Sequence, residues 1–184
     1  MGISHSLGPV LETQRLRLRV PEARDFDAYA LMNEDAEAMQ FIGGTLPRAA
    51  CWRKFLQMPG AWALQGFAMF TVETKQGEWL GQLGPWQPEG WPGTEVGWAF
   101  KRDAWGKGYA TEAAVAAIDW AFDTLGWTDV IHSISPENAA SIALAERLGS
   151  MNRGPGKLPE PFADARIDIY GQTREQWRAR RGAA

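Results

Sequence analysis

Residues 15 to 20 read Arg15-Leu16-Arg17-Leu18-Arg19-Val20, a strict alternation of charged and aliphatic side chains. Successive side chains of a strand point to opposite faces, so this stretch predicts a half-buried β-strand with Leu16, Leu18 and Val20 turned inward. Asp25 to Met32 and Asp35 to Phe41 predict two short helices, and Pro47 to Met58 a third that starts near its proline and stops at Pro59-Gly60. Phe67 to Glu73 and Glu78 to Gly84 predict strands joined through Thr74-Lys75-Gln76-Gly77, a hairpin sequence. Pro85 to Gly93, rich in proline, glycine and tryptophan, predicts a loop, and Thr94 to Lys101 a further strand. Ala110, Ala113, Ala114, Ala117, Ile118, Ala121 and Leu125 then trace one helical stripe whose small residues let it lie close to a sheet. Val130 to Ser135 predicts a strand, Asn138 to Leu148 a helix ended by Gly149, Arg166 to Tyr170 a last strand, and Arg174 to Arg180 a basic helix. Hairpin strands followed by alternating strands and helices predict a mixed sheet in an α/β or α+β arrangement. No internal repeat or low-complexity linker divides it, so one domain is expected over residues 1–184, with its core from about 11 to 177.

Where the strand ending at Lys101 meets the alanine-rich helix, the chain reads Trp105-Gly106-Lys107-Gly108-Tyr109-Ala110-Thr111-Glu112. Two glycines let the backbone bend and approach a ligand, and the free N–H groups of a first helical turn favour an anion. A phosphate is the natural guest. The loop is not a Walker loop, because Lys107 is followed by Gly108 and no glycine stands five residues before Gly106. A dinucleotide fingerprint would put its third small residue at Thr111 and needs a βαβ unit early in a parallel sheet, whereas hairpin strands come first here.

Composition narrows the chemistry. A net charge of −3 without a basic block gives no footprint for nucleic acid. Cys51 is the one cysteine and His5 and His132 are the two histidines, which excludes an internal disulfide and a zinc cluster. Cys51 has Arg48, Arg53 and Lys54 nearby but no His or acid in sequence to activate it, and reads as a buried helical thiol. With no signal-peptide core and no apolar run near 18 residues, a cytoplasmic protein without membrane partners is expected, as monomer or homodimer.

Three blocks carry a resemblance. They are Glu12-Thr13-Gln14-Arg15-Leu16-Arg17-Leu18-Arg19, then Glu95-Val96-Gly97-Trp98 through Trp105-Gly106-Lys107-Gly108-Tyr109-Ala110-Thr111-Glu112-Ala113, then Pro136-Glu137-Asn138-Ala139-Ala140-Ser141 through Arg147-Leu148-Gly149. From Leu11 to Trp177 the chain resembles the GNAT superfamily of acyl-CoA N-acyltransferases, and within it the branch of ribosomal-protein-alanine N-acetyltransferases (RimJ/RimL-type). The resemblance implies a mostly antiparallel sheet of six or seven strands with one splayed pair, flanked by helices. It implies acetyl-CoA as donor, with its pyrophosphate on Trp105, Gly106, Lys107, Gly108, Tyr109 and Ala110. Trp105 stands where the superfamily motif has Gln or Arg, a departure that backbone contacts tolerate. The pantetheine arm would run along the strand ending near Phe100, in the gap where that strand leaves Val130 to Ser135, because an amide-bearing arm can satisfy backbone groups as a strand would. Asn138 would bond the arm, or serve as helix N-cap.

Acetyl transfer needs a neutral amine, a carbonyl oxygen that can carry charge and a thiolate that can leave. Glu95 is the candidate base, acting on the amine through water or directly, the alternative being a solvated edge acid. The resemblance implies Ser141 as hydrogen-bond donor to the sulfur, the alternative being an ordinary helical serine, and the Tyr that many relatives carry four residues later is Ala145 here. His132 is an alternative base, and a backbone N–H near Trp98 to Phe100 would hold the tetrahedral oxygen. Among ten tryptophans, Trp79, Trp86, Trp91, Trp98 and Trp105 are expected around the acceptor side, with Trp86 and Trp91 walling an amine pocket. The expected activity is direct acetyl transfer in a ternary complex to a primary amine, with a peptide or protein N-terminal α-amine favoured by its pKa of about 7.7 to 8.0 against about 10.4 for lysine. Small amines such as an antibiotic or polyamine, and a non-catalytic CoA-binding sensor, are the alternatives.

Overall fold

The computed structural model describes residues 7–182. His5 lies outside them. The chain runs β1 (Leu11–Glu12), β2 (Leu16–Arg19), α1 (Phe26–Glu34), α2 (Ala36–Met39), α3 (Arg48–Phe55), α4 (Gln57–Gln65), β3 (Phe70–Thr74), β4 (Trp79–Trp86) and β5 (Glu95–Phe100). It continues through α5 (Tyr109–Asp123), β6 (Asp129–Ile134), α6 (Ala139–Leu148), β7 (Met151–Gly156), β8 (Ile167–Thr173) and α7 (Arg174–Gly182). One sheet takes the order β1-β2-β3-β4-β5-β6-β8-β7, and β5 with β6 is its parallel neighbour pair. It has eight strands rather than six or seven. The additions are the two-residue β1 and the edge strand β7, whose Met151-Asn152-Arg153-Gly154-Pro155-Gly156 has neither alternation nor a buried face.

The core lies between the sheet and α5. Leu16, Leu18, Phe70, Val72, Leu80, Leu83, Val96 and Phe100 meet Ala113, Ala114, Ala117 and Ile118, so the alanine stripe does bring the helix close to the strands. On the other face, Tyr29, Met32, Cys51 and Phe55 pack over Trp79 beneath α1 and α3. Cys51 is fully buried, donates to the Leu46 carbonyl at 3.3 Å, and has its thiol pKa pushed up by burial, so it stays protonated.

Three local expectations are corrected. Pro59-Gly60 does not stop a helix but lies in the first turns of α4, where a proline's missing N–H costs nothing because no carbonyl awaits it. Pro85 and Trp86 belong to β4 rather than to a loop, opposite Val96 and Glu95. Arg19 is buried, not solvent-facing, because its guanidinium is gripped by Asp25 at 2.7 and 2.8 Å and by Glu73 at 2.7 Å. Among the described residues no helix is long and apolar enough to cross a membrane.

Candidate active site

The site begins where β5 and β6 part. Glu95 faces Ile131 in the one register pair they share, and the Ile131 N–H reaches the Thr94 carbonyl at 2.9 Å. One residue later the sheet is replaced by a side chain: His132 Nδ1 lies 2.7 Å from the Val96 carbonyl. A carbonyl can only accept, so Nδ1 carries the proton and Nε2 accepts from the Ser150 hydroxyl at 3.1 Å. Ser150 in turn accepts from the Gln172 amide at 3.0 Å. Burial lowers the His132 pKa to about 4, which makes this histidine a neutral strut and not a base.

Four residues after Val96, the Trp105 indole N–H donates to the Phe100 carbonyl at 2.9 Å. Residues two apart in a strand direct their peptide groups to the same side, so Trp98, between these two, turns its N–H and C=O into the opening left by β6. The opening is thus bounded by two capped carbonyls with a pair of strand-like groups between them.

Gly108 (φ +77°) is the N-cap of α5, and Gly106 (φ +71°) sets the turn before it, both in the left-handed region that a Cβ disfavours. Arg15 fixes this loop. Its guanidinium donates to the Lys107 carbonyl at 2.9 Å, pairs with Glu112 at 2.6 Å and lies 4.7 Å from the centre of the Tyr109 ring. Glu112 also accepts from the Thr13 hydroxyl at 2.6 Å, and these bonds hold its carboxyl below the usual range. A groove of about 1100 Å³ runs from here past Phe100 to α6, lined by Trp105, Gly106, Gly108, Tyr109, Ala110, Asn138 and Ser141. Of the residues expected around the donor, Lys107 alone is not part of its wall. The Phe100 side chain is mainly core.

At the mouth of α6, the Asn138 side-chain oxygen accepts from the Ser141 N–H at 3.1 Å, so the N-cap role is real and the amide NH2 is the part left for a ligand. The Ser141 hydroxyl oxygen accepts from the Trp98 indole at 3.1 Å, leaving its own proton to donate. A second cavity, about 640 Å³, opens on the other side and shares Trp98, Ala99, Asn138 and Ser141 with the groove.

Glu95 lines this second cavity and is buried, not solvated at an edge. Its Oε2 accepts from the Trp91 indole at 2.6 Å and from the Ser133 hydroxyl at 2.8 Å, yet burial dominates and pushes its pKa above the ordinary carboxylate value. Trp86 and Trp91 form an edge-on pair with centroids 6.5 Å apart in the same wall. The other tryptophans disperse. Trp79 is core beneath α1 and α3, and Trp105 lines the groove at the start of α5.

Sequence reading missed Arg15, Ser133 and the Trp98–Ser141 bond. Arg15 is 97 residues from Glu112, and an alternating strand tells which way it points but not what it meets. Ser133 sits one residue past the histidine that drew attention, with nothing in its neighbours to mark it. Among the described residues no three His, Cys, Asp or Glu side chains come together to hold a metal.

The family model for the acetyltransferase (GNAT) domain matches residues 15–151. The N-acetyltransferase p20 of Bacillus licheniformis is 30% identical over 164 residues, covering 87% of this chain and 92% of that protein. The acetyltransferase of Agrobacterium tumefaciens str. C58 superposes with a TM-score of 0.80 at 31% identity, over 90% of this chain and 95% of that one. RimJ of Mycobacterium smegmatis, in complex with CoA-disulfide, shares the fold at a TM-score of 0.69 and 21% identity, over 91% and 88% of the two chains. With the split strand pair, the glycine cradle and the groove that joins them, these likenesses make the chain an acetyltransferase of the GNAT family, which uses acetyl-CoA.

Proposed function

We propose that the protein transfers acetyl from acetyl-CoA directly to the α-amine of a peptide or protein N-terminus, in a ternary complex. The observation that carries this reading is that donor groove and second cavity meet at Trp98 and Ser141, with Glu95 on the cavity side. Two open compartments with one shared wall suit two substrates bound at once, and the buried, protonated Cys51 offers no covalent relay.

The residues present fit the donor. Gly106 and Gly108 leave the first-turn N–H groups of α5 clear for a pyrophosphate, and the Trp98 peptide groups can pair with a pantetheine amide. In the transfer step, the amine nitrogen forms a bond to the thioester carbon and the carbon–sulfur bond breaks. Glu95 takes the amine proton through a water, helped by its raised pKa. An N–H of the Trp98 to Phe100 stretch stabilises the tetrahedral oxygen, and Ser141 hydrogen-bonds the sulfur, which leaves as the thiolate. A single carboxylate matches an α-amine, much of which is neutral near pH 8, better than a lysine. Trp86 and Trp91 wall the acceptor.

Thiol release from acetyl-CoA tests this with unblocked peptides, N-terminally blocked peptides, a polyamine and an aminoglycoside. The reading expects release with unblocked peptides above all. Release with only the polyamine or aminoglycoside would contradict it, and binding without release to any amine would indicate a sensor.

A further inference from the structure

Lys54, on α3, lines the cavity that begins at Glu95 and is half-buried there. Among the described residues its ammonium meets no carboxylate and no hydrogen-bond partner, although the chain pairs its other half-buried lysines: Lys75 with Glu12, and Lys101 with Glu78 and Asp103. Removing a charge from water without a partner is costly, so an unpaired ammonium in a pocket wall is a group awaiting an anion. Burial depresses its pKa, and the one opposing influence is the Cys51 thiol, not a carboxylate.

The rest of the wall pairs no carboxylate with Lys54. Phe41, Trp86, Trp91 and Phe162 are aromatic, and the two acids are Glu95, already held by Trp91 and Ser133, and Glu137 at the exposed rim. Arg166, also exposed in this wall and unpaired among the described residues, adds a second positive charge. A polycation would be repelled by Lys54 and Arg166 and would meet only Glu95, already hydrogen-bonded, and Glu137 at the rim.

We infer that the acceptor presents a carboxylate to Lys54 while its amine lies towards Glu95. The carboxylate is either that of a free amino acid or an acidic side chain close to a peptide's N-terminus. This rests on the second cavity being the acceptor site, as in the proposed function.

The test measures acceptor kinetics for peptides with Glu, Gln or Lys at the second or third position, and for free amino acids beside their amides. For the wild type we expect the carboxylate form to have a Michaelis constant about tenfold lower than its amide, the size of one partly buried charged contact. Lys54→Met should abolish that ratio, Lys54→Arg restore most of it, and Lys54→Glu favour the Lys-containing peptide, with the acetyl-CoA constant unchanged within about twofold throughout. An unchanged ratio in Lys54→Met, a wild-type preference for the Lys peptide or a polyamine, or failure of every carboxylate-bearing acceptor to react overturns the inference. Reaction with free amino acids alone would overturn the peptide reading and keep this one. Peptide acetylation indifferent to charge would do the reverse.

Discussion

The indole N–H of Trp98 donates to the hydroxyl oxygen of Ser141 across 3.1 Å, joining the split strand β5 to the mouth of α6. That bond takes a lone pair and leaves the serine O–H free to donate a hydrogen bond, which suits a hydroxyl that stabilises a departing thiolate. Replacing Ser141 by Ala should lower kcat by about tenfold to a hundredfold, the size of one hydrogen bond to a developing charge. Trp98→Phe keeps the ring and removes the donor, so it should lower kcat several-fold. In both variants the acetyl-CoA Michaelis constant should hold within a few-fold, and steady-state kinetics separate the two effects.

Glu95 predicts opposite effects on rate and stability. Its folded pKa lies above the unfolded value, so the native state holds more protons in the interval between them and this group's contribution to stability declines as pH rises through it. At neutral pH, Glu95→Gln should therefore melt no lower than the wild type and somewhat higher, since an amide oxygen can still accept from Trp91 and Ser133. The same variant should lose most turnover and the acid limb of the kcat/KM profile, a limb that in the wild type lies above the ordinary carboxylate range.

His132 titrates the other way. Its pKa falls from about 6.5 unfolded to about 4 folded, so the unfolded state binds more protons between these values and stability drops on acidification through that window. Urea unfolding should show a loss of about 2 kcal/mol from this residue between pH 7 and pH 5. His132→Gln, which can donate to the Val96 carbonyl but does not titrate, should remove that part of the slope.

Arg15 should matter to the donor alone. Its contacts to Lys107, Tyr109 and Glu112 hold the glycine turn from the side. Arg15→Ala is expected to weaken acetyl-CoA binding several-fold in calorimetry while leaving the acceptor constant nearly unchanged.

The glycine turn and its groove were legible in the sequence because they are local: glycine, helix start and alanine stripe adjoin in one segment, and their conformational meaning is intrinsic. The core strands were legible through alternation, as with Leu16 and Leu18. Arg19 shows where alternation misleads, since a residue whose charge is paired by Asp25 and Glu73 can be buried on a polar-looking face. The edge strand β7 carries no pattern because it buries no face, and Pro59 reads as a stop or a start depending on a helix boundary that tertiary packing decides. The wall of the second cavity, with Lys54 from α3, Trp86 from β4 and Ser133 from β6, is assembled from distant segments and becomes visible only in three dimensions.

The central claim is α-amine acetylation with Glu95 as base. Its most direct test is to incubate the enzyme and acetyl-CoA with a peptide carrying a free N-terminus, an acidic residue nearby and one internal lysine, and to locate the acetyl group by fragmentation mass spectrometry. The account predicts one acetyl group on the N-terminal nitrogen, formed by the wild type and nearly absent with Glu95→Gln. Acetyl on the lysine alone, or undiminished product with Glu95→Gln, would contradict it.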